Sequence, residues 1–509
     1  MDFQASICLF FEELASSHNK LHRSREDESI TTVVLPTAAA LRQATDGLTK
    51  SLPIDGIGIG PTVKHLIDDV VPGLNNSSLV PSYYGFVTGG YTEAAGLADH
   101  IASTLDQNVQ VHLPRETVST VVEHCAFQML LELFDLQIPT WHGRTFTTGA
   151  TASNVVGLAC AREQVLNFAL RRRRGSSSHS VGESGIISTC LEAGVTGIQI
   201  LTTMPHSSLR KAASLIGLGR NCVKDVGYLS ETPWKFDYDQ LEKALRKEGM
   251  ASIVTISCGE VNTGRFATGG LEEMQRLRTL CDKYGAWIHV DGAFGIFGRL
   301  VAGEDYDLIK RGCEGIELAD SIAGDAHKLL NVPYDCGFVF CRSLNTMEDV
   351  FQNSNAAYLS SSATTSEIPS PLNVGIENSR RFRALPVYAT LLAYGKSGYQ
   401  QMLQRQMTLA RRVVRYLFAR RQHFELLPFP NLDVETQVKN TFIIVLFRAI
   451  DREVNFQLVR RINESRRIYV SGTSWEGTAA ARIAISNRNV NPERDIEIIQ
   501  EVLNSVISS

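Results

Sequence analysis

The sequence ADSIAGDAHKLLNVPYDCGFVFC, residues 319–341, places a His-Lys pair between a segment without clear periodicity and a β-rich run that begins at Gly337. A lysine held between packed segments is removed from water, and this favours the neutral amine because burial penalises the charged form. A neutral amine can form an imine with a carbonyl compound. Lys328 is therefore the first candidate for covalent chemistry in this chain.

A second stretch, AWIHVDGAFG at residues 286–295, has the pattern of an apolar strand that ends in the carboxylate of Asp291. Enough chain separates Asp291 from Lys328 for a strand, a crossover and a second strand end. Pyridoxal 5'-phosphate (PLP) requires such a pair, with a lysine for its aldehyde and an acid for its pyridinium nitrogen. The two stretches together predict a PLP site.

These motifs, His-Val-Asp-Gly-Ala-Phe-Gly and Asp-Ala-His-Lys, resemble those of the group II PLP-dependent amino-acid decarboxylases. That family includes the aromatic-amino-acid, glutamate and histidine decarboxylases and has the type I fold of PLP-dependent transferases. The resemblance extends from about Tyr83 to about Asn487 and implies a homodimer that acts on an amino acid. It also implies three parts: an N-terminal helical segment packed on the partner subunit (1–80), a large PLP-binding domain (81–385) and a small C-terminal α/β domain (386–509).

Hydrophobic periodicity predicts an α/β architecture. From about residue 145 to residue 345, strand-length apolar runs alternate with helical patterns, which predicts a mostly parallel central sheet with helices on both faces. Helices are expected at residues 37–44, 93–107, 116–134, 155–170, 236–247 and 271–284, and strands at 197–203, 253–257 and 286–291. After residue 385 the expected order is a long helix, a strand at 442–447, a helix at 455–466 and a strand at 481–486, which form a smaller unit.

A third stretch, FTTGATASN at residues 146–154, precedes one of the helical patterns. Small residues at a helix N-terminus let backbone N–H groups and a hydroxyl approach an anion. Ser and Thr also cap helices that bind nothing, so this signal alone is weak. Together with the other two motifs it resembles the phosphate cup of the family, with Gly149, Ala150 and Thr151 as the contacts.

Position and resemblance assign further residues to the site. His206 follows a predicted strand at a strand-to-helix junction, where ligands collect in open α/β sheets. The resemblance implies that its ring stacks on the pyridine ring and lines the reaction face. The stretch YYGFVTGG at residues 83–90 is either a turn around a packed aromatic or the rim of the site, with Thr88 near the cofactor and Phe86 facing substrate. Tyr84 and Phe86 hint at an apolar or aromatic substrate, although aromatic residues at pocket rims are common.

Three more cofactor neighbours are expected. Asn262 lies in a polar turn after a predicted strand and is either an ordinary turn residue or a cofactor contact. Ala293, two residues beyond Asp291, is expected on the same side of the strand, where a small side chain fits beneath the ring. His327 and Asp325 flank Lys328 and are expected to shape its surroundings.

The resemblance implies decarboxylation of an L-amino acid through an external aldimine and a quinonoid, which a general acid protonates at Cα. Many family members carry a tyrosine for this protonation on a mobile loop. An alignment anchored on Ser379-Arg380-Arg381 places Val374 near that position, at the end of a polar segment (358–375) that is expected to be mobile. No tyrosine occurs between Tyr358 and Tyr388.

The missing tyrosine leaves alternatives open. His206 is a possible substitute donor. Other PLP chemistry, either a carbon–carbon lyase or synthase or a decarboxylation-dependent oxidative deaminase, would use the same carbanion differently. A degenerate dimeric scaffold without activity is disfavoured, because the lysine, the aspartate and the phosphate loop are all present. The sequence does not specify which amino acid is the substrate.

Composition excludes several classes of protein. Fifty Lys and Arg against 54 Asp and Glu give a net charge of −4, which favours neither a nucleic-acid nor a membrane-surface partner. The ten scattered cysteines form no CxxC pair, so reduced thiols and no metal site are expected. The start has no basic n-region and the apolar runs are strand-length, which predicts a cytoplasmic protein. The basic run 171–174 is expected to be a solvated surface loop rather than a nuclear-import or anion-binding signal.

Overall fold

A computed structural model of the chain describes Glu12 and residues 34–175, 180–228, 232–353 and 368–508. Most of the N-terminal residues 1–33, the Ser-rich break after the basic run, and residues 358–367 of the expected mobile loop lie outside the described residues. The described strands are β1 Tyr83–Tyr84, β2 Gly143–Thr147, β3 Gly197–Thr202, β4 Val223–Asp225, β5 Met250–Ser257, β6 Trp287–Asp291, β7 Ser321–Asp325, β8 Gly337–Cys341, β9 Phe424–Leu427, β10 Ile444–Ala449, β11 Tyr469–Trp475 and β12 Thr478–Ala484.

The described α-helices include most of those that periodicity predicted, with shifted ends. They are α1 Ala38–Gly47, α2 Ile59–His65, α3 Glu93–Leu105, α4 Ser119–Leu133, α5 Ala150–Arg174, α6 Val181–Ser184, α7 Ile186–Ala193, α8 Ser207–Leu215, α9 Tyr238–Leu245, α10 Leu271–Tyr284, α11 Asp307–Gly312, α12 Leu344–Phe351, α13 Ala384–Ala419, α14 Val434–Lys439, α15 Arg452–Glu464 and α16 Pro492–Ser508. In the described part of the chain, no helix combines the length and the apolar character needed to cross a bilayer. The cytoplasmic location stays a prediction.

Seven strands form the central sheet, in the order β2-β8-β7-β6-β5-β3-β4. Only β8 runs antiparallel to its neighbours β2 and β7, so the expected mostly parallel sheet is confirmed. Both faces are covered by helices, as predicted. Along β5, Ile253 packs in the cluster that contains α5 and α8, whereas its neighbour Val254 packs in the cluster that contains α10 and α13. Strands buried on both faces explain why these runs are continuously apolar.

The second sheet has five strands in the order β1-β11-β12-β10-β9. Four of them lie after residue 420, as expected for a small C-terminal unit, but β1 at Tyr83–Tyr84 joins them by pairing in parallel with β11. The long helix α13 begins before residue 386 and packs in the cores of both sheets. The division into parts 1–80, 81–385 and 386–509 stays a prediction.

Helix α5 extends well beyond the predicted range 155–170. It begins at Ala150, because Gly149 adopts a φ of 152° that turns the chain into the helix. It continues through the basic run, so residues 171–174 are exposed but helical, and the predicted surface loop is wrong. Arg173 donates to the carbonyl oxygens of Leu191 and Glu192 at 3.3 and 3.2 Å. Arg173 thus joins the end of α5 to the end of α7.

Gly157 lies in α5, and a Cβ on it would overlap the imidazole ring of His289. We expect Gly157→Ala to lower the free energy of unfolding by about 1–3 kcal/mol, because an added methyl group in a packed core displaces its neighbours. Gly60→Ala is the helical control, since no heavy atom lies within 4 Å of its added Cβ. Urea unfolding measures both variants. Equal stabilities would contradict the close packing of α5 on His289.

Candidate active site

The carboxylate of Asp291 stands at the carboxyl end of β6, between the parallel strands β5 and β7. Its Oδ2 accepts a hydrogen bond from Nδ2 of Asn154 at 2.9 Å, and its Oδ1 accepts one from the backbone N–H of Ala293 at 3.3 Å. The strand ends at Asp291, so Ala293 lies in the following turn. The strand-alternation argument for Ala293 is therefore wrong, and its place beneath a cofactor ring stays a prediction.

Lys328 lies three residues beyond the end of the neighbouring strand β7. Its Nζ is 2.9 Å from Oδ2 of Asp325, which is the last residue of that strand. The other oxygen of Asp325 accepts the backbone N–H of Ala150 at 2.5 Å. Beside the lysine, the His327 ring lies 4.4 Å from the Tyr334 ring, and burial lowers the pKa of His327. Asp325 therefore contacts Lys328 as an ionic partner, and His327 lies beside both.

The predicted phosphate contacts lie at the N-terminus of α5, next to this turn. A Cβ on Gly149 would stand 3.0 Å from Cε1 of His327 and 3.3 Å from Oδ1 of Asp325, so only glycine allows this close approach. Ala150 and Thr151 open the helix, and backbone N–H groups at a helix start favour an anion; the N–H of Ala150 already donates to the carboxylate of Asp325. The structure brings these three residues beside the Lys328 turn, and their phosphate role stays a prediction.

His206 is the N-cap residue of α8, in the strand-to-helix junction that the sequence indicated. Its Nδ1 accepts the backbone N–H of Ser208 at 3.2 Å, which leaves the ring proton of a neutral imidazole on Nε2. Burial lowers the pKa of His206, and the charges that act on it include those of Asp291, Lys328 and Asp325. His206 therefore lies in the same charge cluster as the lysine and the aspartate.

Two residues that the sequence analysis did not assign also belong to this cluster. Asn154 is fully buried, and its side-chain amide joins Asp291 to His289. The charge of Arg482 also acts on His206. The guanidinium of Arg482 is buried, burial lowers its pKa to about 10, and in the described part of the chain its Nε has no hydrogen-bond partner. An arginine within an otherwise apolar strand pattern was the available signal for this residue.

The predicted rim residues have different positions. Thr88 is buried, and its side chain forms a hydrogen bond with Tyr334. In the turn after Lys328, the side-chain amide of Asn331 donates to the carbonyl oxygen of Gly89 at 2.8 Å. Phe86 is 60% exposed. Tyr84 is fully buried in the core of the small sheet, among residues of α13 and α16. This burial argues against a substrate contact for Tyr84, because its side chain faces that core.

Two other predicted positions have contacts outside the lysine turn. The side-chain oxygen of Asn262 accepts a hydrogen bond from Thr473 of β11 at 2.8 Å, so this turn contacts the small sheet. Val374 is buried in the apolar cluster that covers one face of the central sheet. A cofactor contact for Asn262, and the correspondence of Val374 to a loop tyrosine, stay predictions.

Comparison with known proteins decides the family. The family model described as the pyridoxal-dependent decarboxylase conserved domain matches residues 67–439. The chain belongs to the pyridoxal-dependent decarboxylase family. Its cofactor is PLP, as the lysine and aspartate motifs predicted.

Several curated proteins are similar to this chain in sequence. The L-2,4-diaminobutyrate decarboxylase of Acinetobacter baumannii is 28% identical over 63% of this chain, but the match spans only 58% of that relative. The 4-hydroxyphenylacetaldehyde synthase of Rhodiola rosea is 23% identical over 91% of this chain and 89% of the relative. Tryptophan decarboxylase 1 of Oryza sativa subsp. japonica is 24% identical over 87% of this chain and 83% of the relative.

Solved structures show the same fold. The crystal structure of Oryza sativa TDC with PLP and tryptamine has a TM-score of 0.80 at 21% identity and covers 99% of this chain and 98% of that chain. The Rhodiola rosea synthase has a TM-score of 0.78 at 20% identity, with 100% and 99% covered. The predicted type I fold of PLP-dependent transferases is confirmed.

The decarboxylase-family site has the groups that PLP requires. Lys328 supplies an amine, and Asp291 supplies a carboxylate that accepts hydrogen bonds. The start of α5 supplies backbone N–H groups, next to Gly149, where His327 and Asp325 occupy the space that a Cβ would need. An aldehyde, a protonated pyridine nitrogen and a phosphate match these three groups in chemistry. The residues therefore fit the cofactor of the family.

The burial of His289 beside Asn154 makes the free energy of unfolding depend on pH. Burial lowers the pKa of His289 to about 4, whereas an unfolded histidine has a pKa of about 6.5. Between these values the unfolded chain binds a proton that the folded protein does not, so acidification lowers the free energy of unfolding by up to about 3 kcal/mol.

We expect His289→Gln to lose this part of the pH dependence. His142→Gln, at an exposed histidine, should keep it. Urea unfolding at about pH 7 and about pH 4.5 measures both, within the window set by the two pKa values. Parallel pH profiles for wild type and His289→Gln would contradict the burial of a neutral imidazole.

Proposed function

We propose that this protein is a PLP-dependent carboxy-lyase that removes the carboxylate from Cα of an L-amino acid. One observation carries the proposal. Asp291 is the last residue of β6 and Lys328 lies three residues beyond the end of the parallel neighbour β7, and the charges of both act on His206. A lysine, an acid and an imidazole in one cluster are the groups that a PLP decarboxylase requires. Membership of the pyridoxal-dependent decarboxylase family supports the proposal.

Specific residues would hold the cofactor. We assign Lys328 to the aldehyde, Asp291 to the pyridine nitrogen, and Gly149, Ala150 and Thr151 to the phosphate. The neighbouring Thr88, Ala293, His327 and Asn262 are assigned as further contacts, since the first three lie beside Lys328 or Asp291. When bound, PLP supplies an electron-accepting ring that stabilises negative charge at Cα after the carboxylate leaves.

The chain's own residues orient the substrate and move the proton. Arg482 is a buried cation that the charge of Glu260 stabilises without a direct ion pair among the described residues, and its unbonded Nε makes it suited to bind a carboxylate of the substrate. Its placement would decide which bond to Cα stands perpendicular to the cofactor ring. His206 holds a proton on Nε2 and is assigned as the donor to Cα.

A second candidate is an oxidative decarboxylase that releases an aldehyde. Two observations favour it: no tyrosine occurs between Tyr358 and Tyr388, and two relatives are named as aldehyde synthases, from Rhodiola rosea and Drosophila melanogaster. In that reaction the amino acid, O₂ and water give the aldehyde, CO₂, ammonia and hydrogen peroxide. The products separate the two candidates, because simple decarboxylation gives only the amine and CO₂.

We also propose that the active form is a homodimer. Leu97, Ile101 and Leu105 form an apolar stripe on α3 and are 66%, 51% and 63% exposed. Further exposed apolar side chains follow α1, at Leu52 and Ile54. Apolar side chains at this spacing form one face of a helix, and exposed apolar patches mark interaction sites. A second copy of this chain would cover them, as the family resemblance implies.

We expect Lys328→Ala to abolish turnover and the imine absorbance band, while PLP still binds non-covalently. The reason is that Asp291 and the start of α5 remain. Lys235→Ala is the matched control, because its lysine is similarly buried (26% against 23% exposed) and also pairs with a carboxylate, that of Glu273.

Mass spectrometry with PLP-loaded protein and the common L-amino acids identifies the products. Neither an amine nor an aldehyde from any amino acid, or activity retained in Lys328→Ala, would refute the proposed function. Aldehyde with hydrogen peroxide would select the oxidative candidate.

We expect the double change Leu97→Glu and Ile101→Glu to convert the dimer into monomers, because it places charges in the proposed apolar contact. Phe456→Glu, at an exposed apolar side chain of α15, should leave the dimer intact. Light scattering coupled to size-exclusion chromatography measures the mass. A monomeric wild type, or a double variant that stays dimeric, would refute this interface.

A further inference from the structure

A chain of buried side chains leads from the interior of the sheet to Asp291. The indole N–H of Trp287 donates to Oγ of Ser321 at 2.9 Å, and Oγ lies 2.8 Å from Nδ1 of His289. Nε2 of His289 lies 2.9 Å from Oδ1 of Asn154, whose Nδ2 donates to Asp291 at 2.9 Å. We call the four side chains before Asp291, namely Trp287, Ser321, His289 and Asn154, the Trp287 relay.

The strand geometry explains why these groups meet. Trp287, His289 and Asp291 alternate along β6, so all three side chains point to the same face of the sheet. Ser321 is the direct neighbour of His289 across the β6–β7 pairing. Asn154 reaches the same face from α5, and the lack of a side chain at Gly157 lets that helix pack on the His289 ring.

The two ends of the relay fix the direction of every hydrogen bond. An indole nitrogen can only donate, so the oxygen of Ser321 accepts and its hydroxyl proton is free to go to Nδ1 of His289. A carboxylate can only accept, so Asn154 turns its amide nitrogen to Asp291 and its oxygen to His289. The Asn154 oxygen therefore requires the histidine tautomer with the proton on Nε2, and the Ser321 hydroxyl, with its proton free, donates to the unprotonated Nδ1 of that tautomer.

A branch of this hydrogen-bond network, through Ser208, extends the same donor-to-acceptor direction to His206. Nδ2 of Asn154 also lies 3.4 Å from Oγ of Ser208, which is 2.8 Å from Nδ1 of His206. An oxygen that accepts from Asn154 is free to donate its own proton to His206. This agrees with the backbone N–H of Ser208, which also donates to that nitrogen. His206 is thereby set with its proton on Nε2.

Burial keeps the relay in one state. Trp287, Ser321, His289 and Asn154 are all at most 5% exposed, so water does not compete for their hydrogen bonds. Burial also holds the pKa of His289 far below its usual value, so the ring stays neutral near pH 7. A neutral ring with one donor and one acceptor transmits direction, whereas a charged ring would donate from both nitrogens.

We propose that the Trp287 relay is a positioning device that sets two hydrogen-bond polarities at once: an acceptor at Asp291 and a proton on Nε2 of His206. Its effect on the cofactor rests on the proposed PLP site, but the polarity itself belongs to the folded chain. Trp287, Ser321 and His289 act through Asn154 and need no contact with substrate. The donor-only indole at the far end leaves the Ser321 proton free for His289, and it thereby supports the hydrogen-bond direction that ends at Asp291.

Solid-state ¹⁵N NMR of histidine-labelled protein tests the polarity directly. We expect His289 and His206 each to show a protonated Nε2 and an unprotonated Nδ1, with signals assigned by their loss in His289→Gln and His206→Gln. In Ser321→Ala, Nδ1 of His289 loses its hydrogen-bond donor, so the ¹⁵N signal of Nδ1 should shift toward that of an unbonded nitrogen, while the proton stays on Nε2 opposite the Asn154 oxygen. Ser252→Ala is the matched control, because it removes another buried strand hydroxyl, bonded to Gln199 at 3.0 Å.

Cofactor binding tests the consequence. We expect Ser321→Ala to weaken PLP binding by about tenfold, as the loss of one buried hydrogen-bond partner does, and Ser252→Ala to leave it unchanged. Asn154→Asp, which is isosteric but puts a second carboxylate against Asp291, should weaken PLP binding further. Asn154→Asp also provides a test of the relay if Ser321→Ala does not fold. Titration of the absorbance band gives the dissociation constants.

The outcomes are separable from those of the proposed function. A proton on Nδ1 of His289 in the wild type, or identical NMR spectra and PLP affinities in Ser321→Ala and Ser252→Ala, would overturn the relay. A wild type with the expected tautomers that binds no PLP would overturn the proposed function and leave the relay's polarity standing. Weaker PLP binding in Ser321→Ala with a shifted Nδ1 signal of His289 supports the relay.

Discussion

The hydrogen bond from the side-chain amide of Asn154 to the carboxylate of Asp291 joins the central sheet to α5, the helix whose N-terminus borders the candidate site. Asp291 ends a strand and Asn154 lies in the second turn of α5, so this contact places the helix N-terminus relative to the strand ends. The same helix start brings the backbone of Ala150 to Asp325. The residues proposed to contact the ring nitrogen and the phosphate are thus held in place by contacts with one helix.

The charges around His206 differ in how closely they are paired. Lys328 is paired with Asp325 at 2.9 Å, and Asp291 receives two N–H groups. Arg482 is more deeply buried than Lys328; among the described residues it donates to the neutral oxygens of Gly85 and Ser471, and the charge of the buried Glu260 acts on it without a direct ion pair. A buried cation is costly unless it is paired and hydrogen-bonded, and this is the basis for proposing that Arg482 binds a carboxylate of the substrate.

Local sequence predicted the parts of the fold that depend on neighbouring residues. The apolar runs of β5 and β6, the helix at 271–284 and the positions of Lys328, Asp291 and His206 at element ends followed from periodicity and from short motifs. The errors arose where a residue's surroundings come from elsewhere in the chain. Tyr84 looked like a rim residue because it precedes glycine and Phe86, yet its strand pairs with β11, far along the sequence.

The sequence by itself determined the identity of the chemistry: an amine, a strand-end acid and a small-residue helix start in an order that matches the pyridoxal-dependent decarboxylases. It also determined that Trp287, His289 and Asp291 share a face, since strand alternation is a local property. Only the tertiary structure decided that Ser321, Asn154 and Ser208 link these side chains and give every hydrogen bond a direction. The reason is that a donor and an acceptor about 3 Å apart must be placed by packing, and no spacing along the chain specifies which distant groups packing brings together.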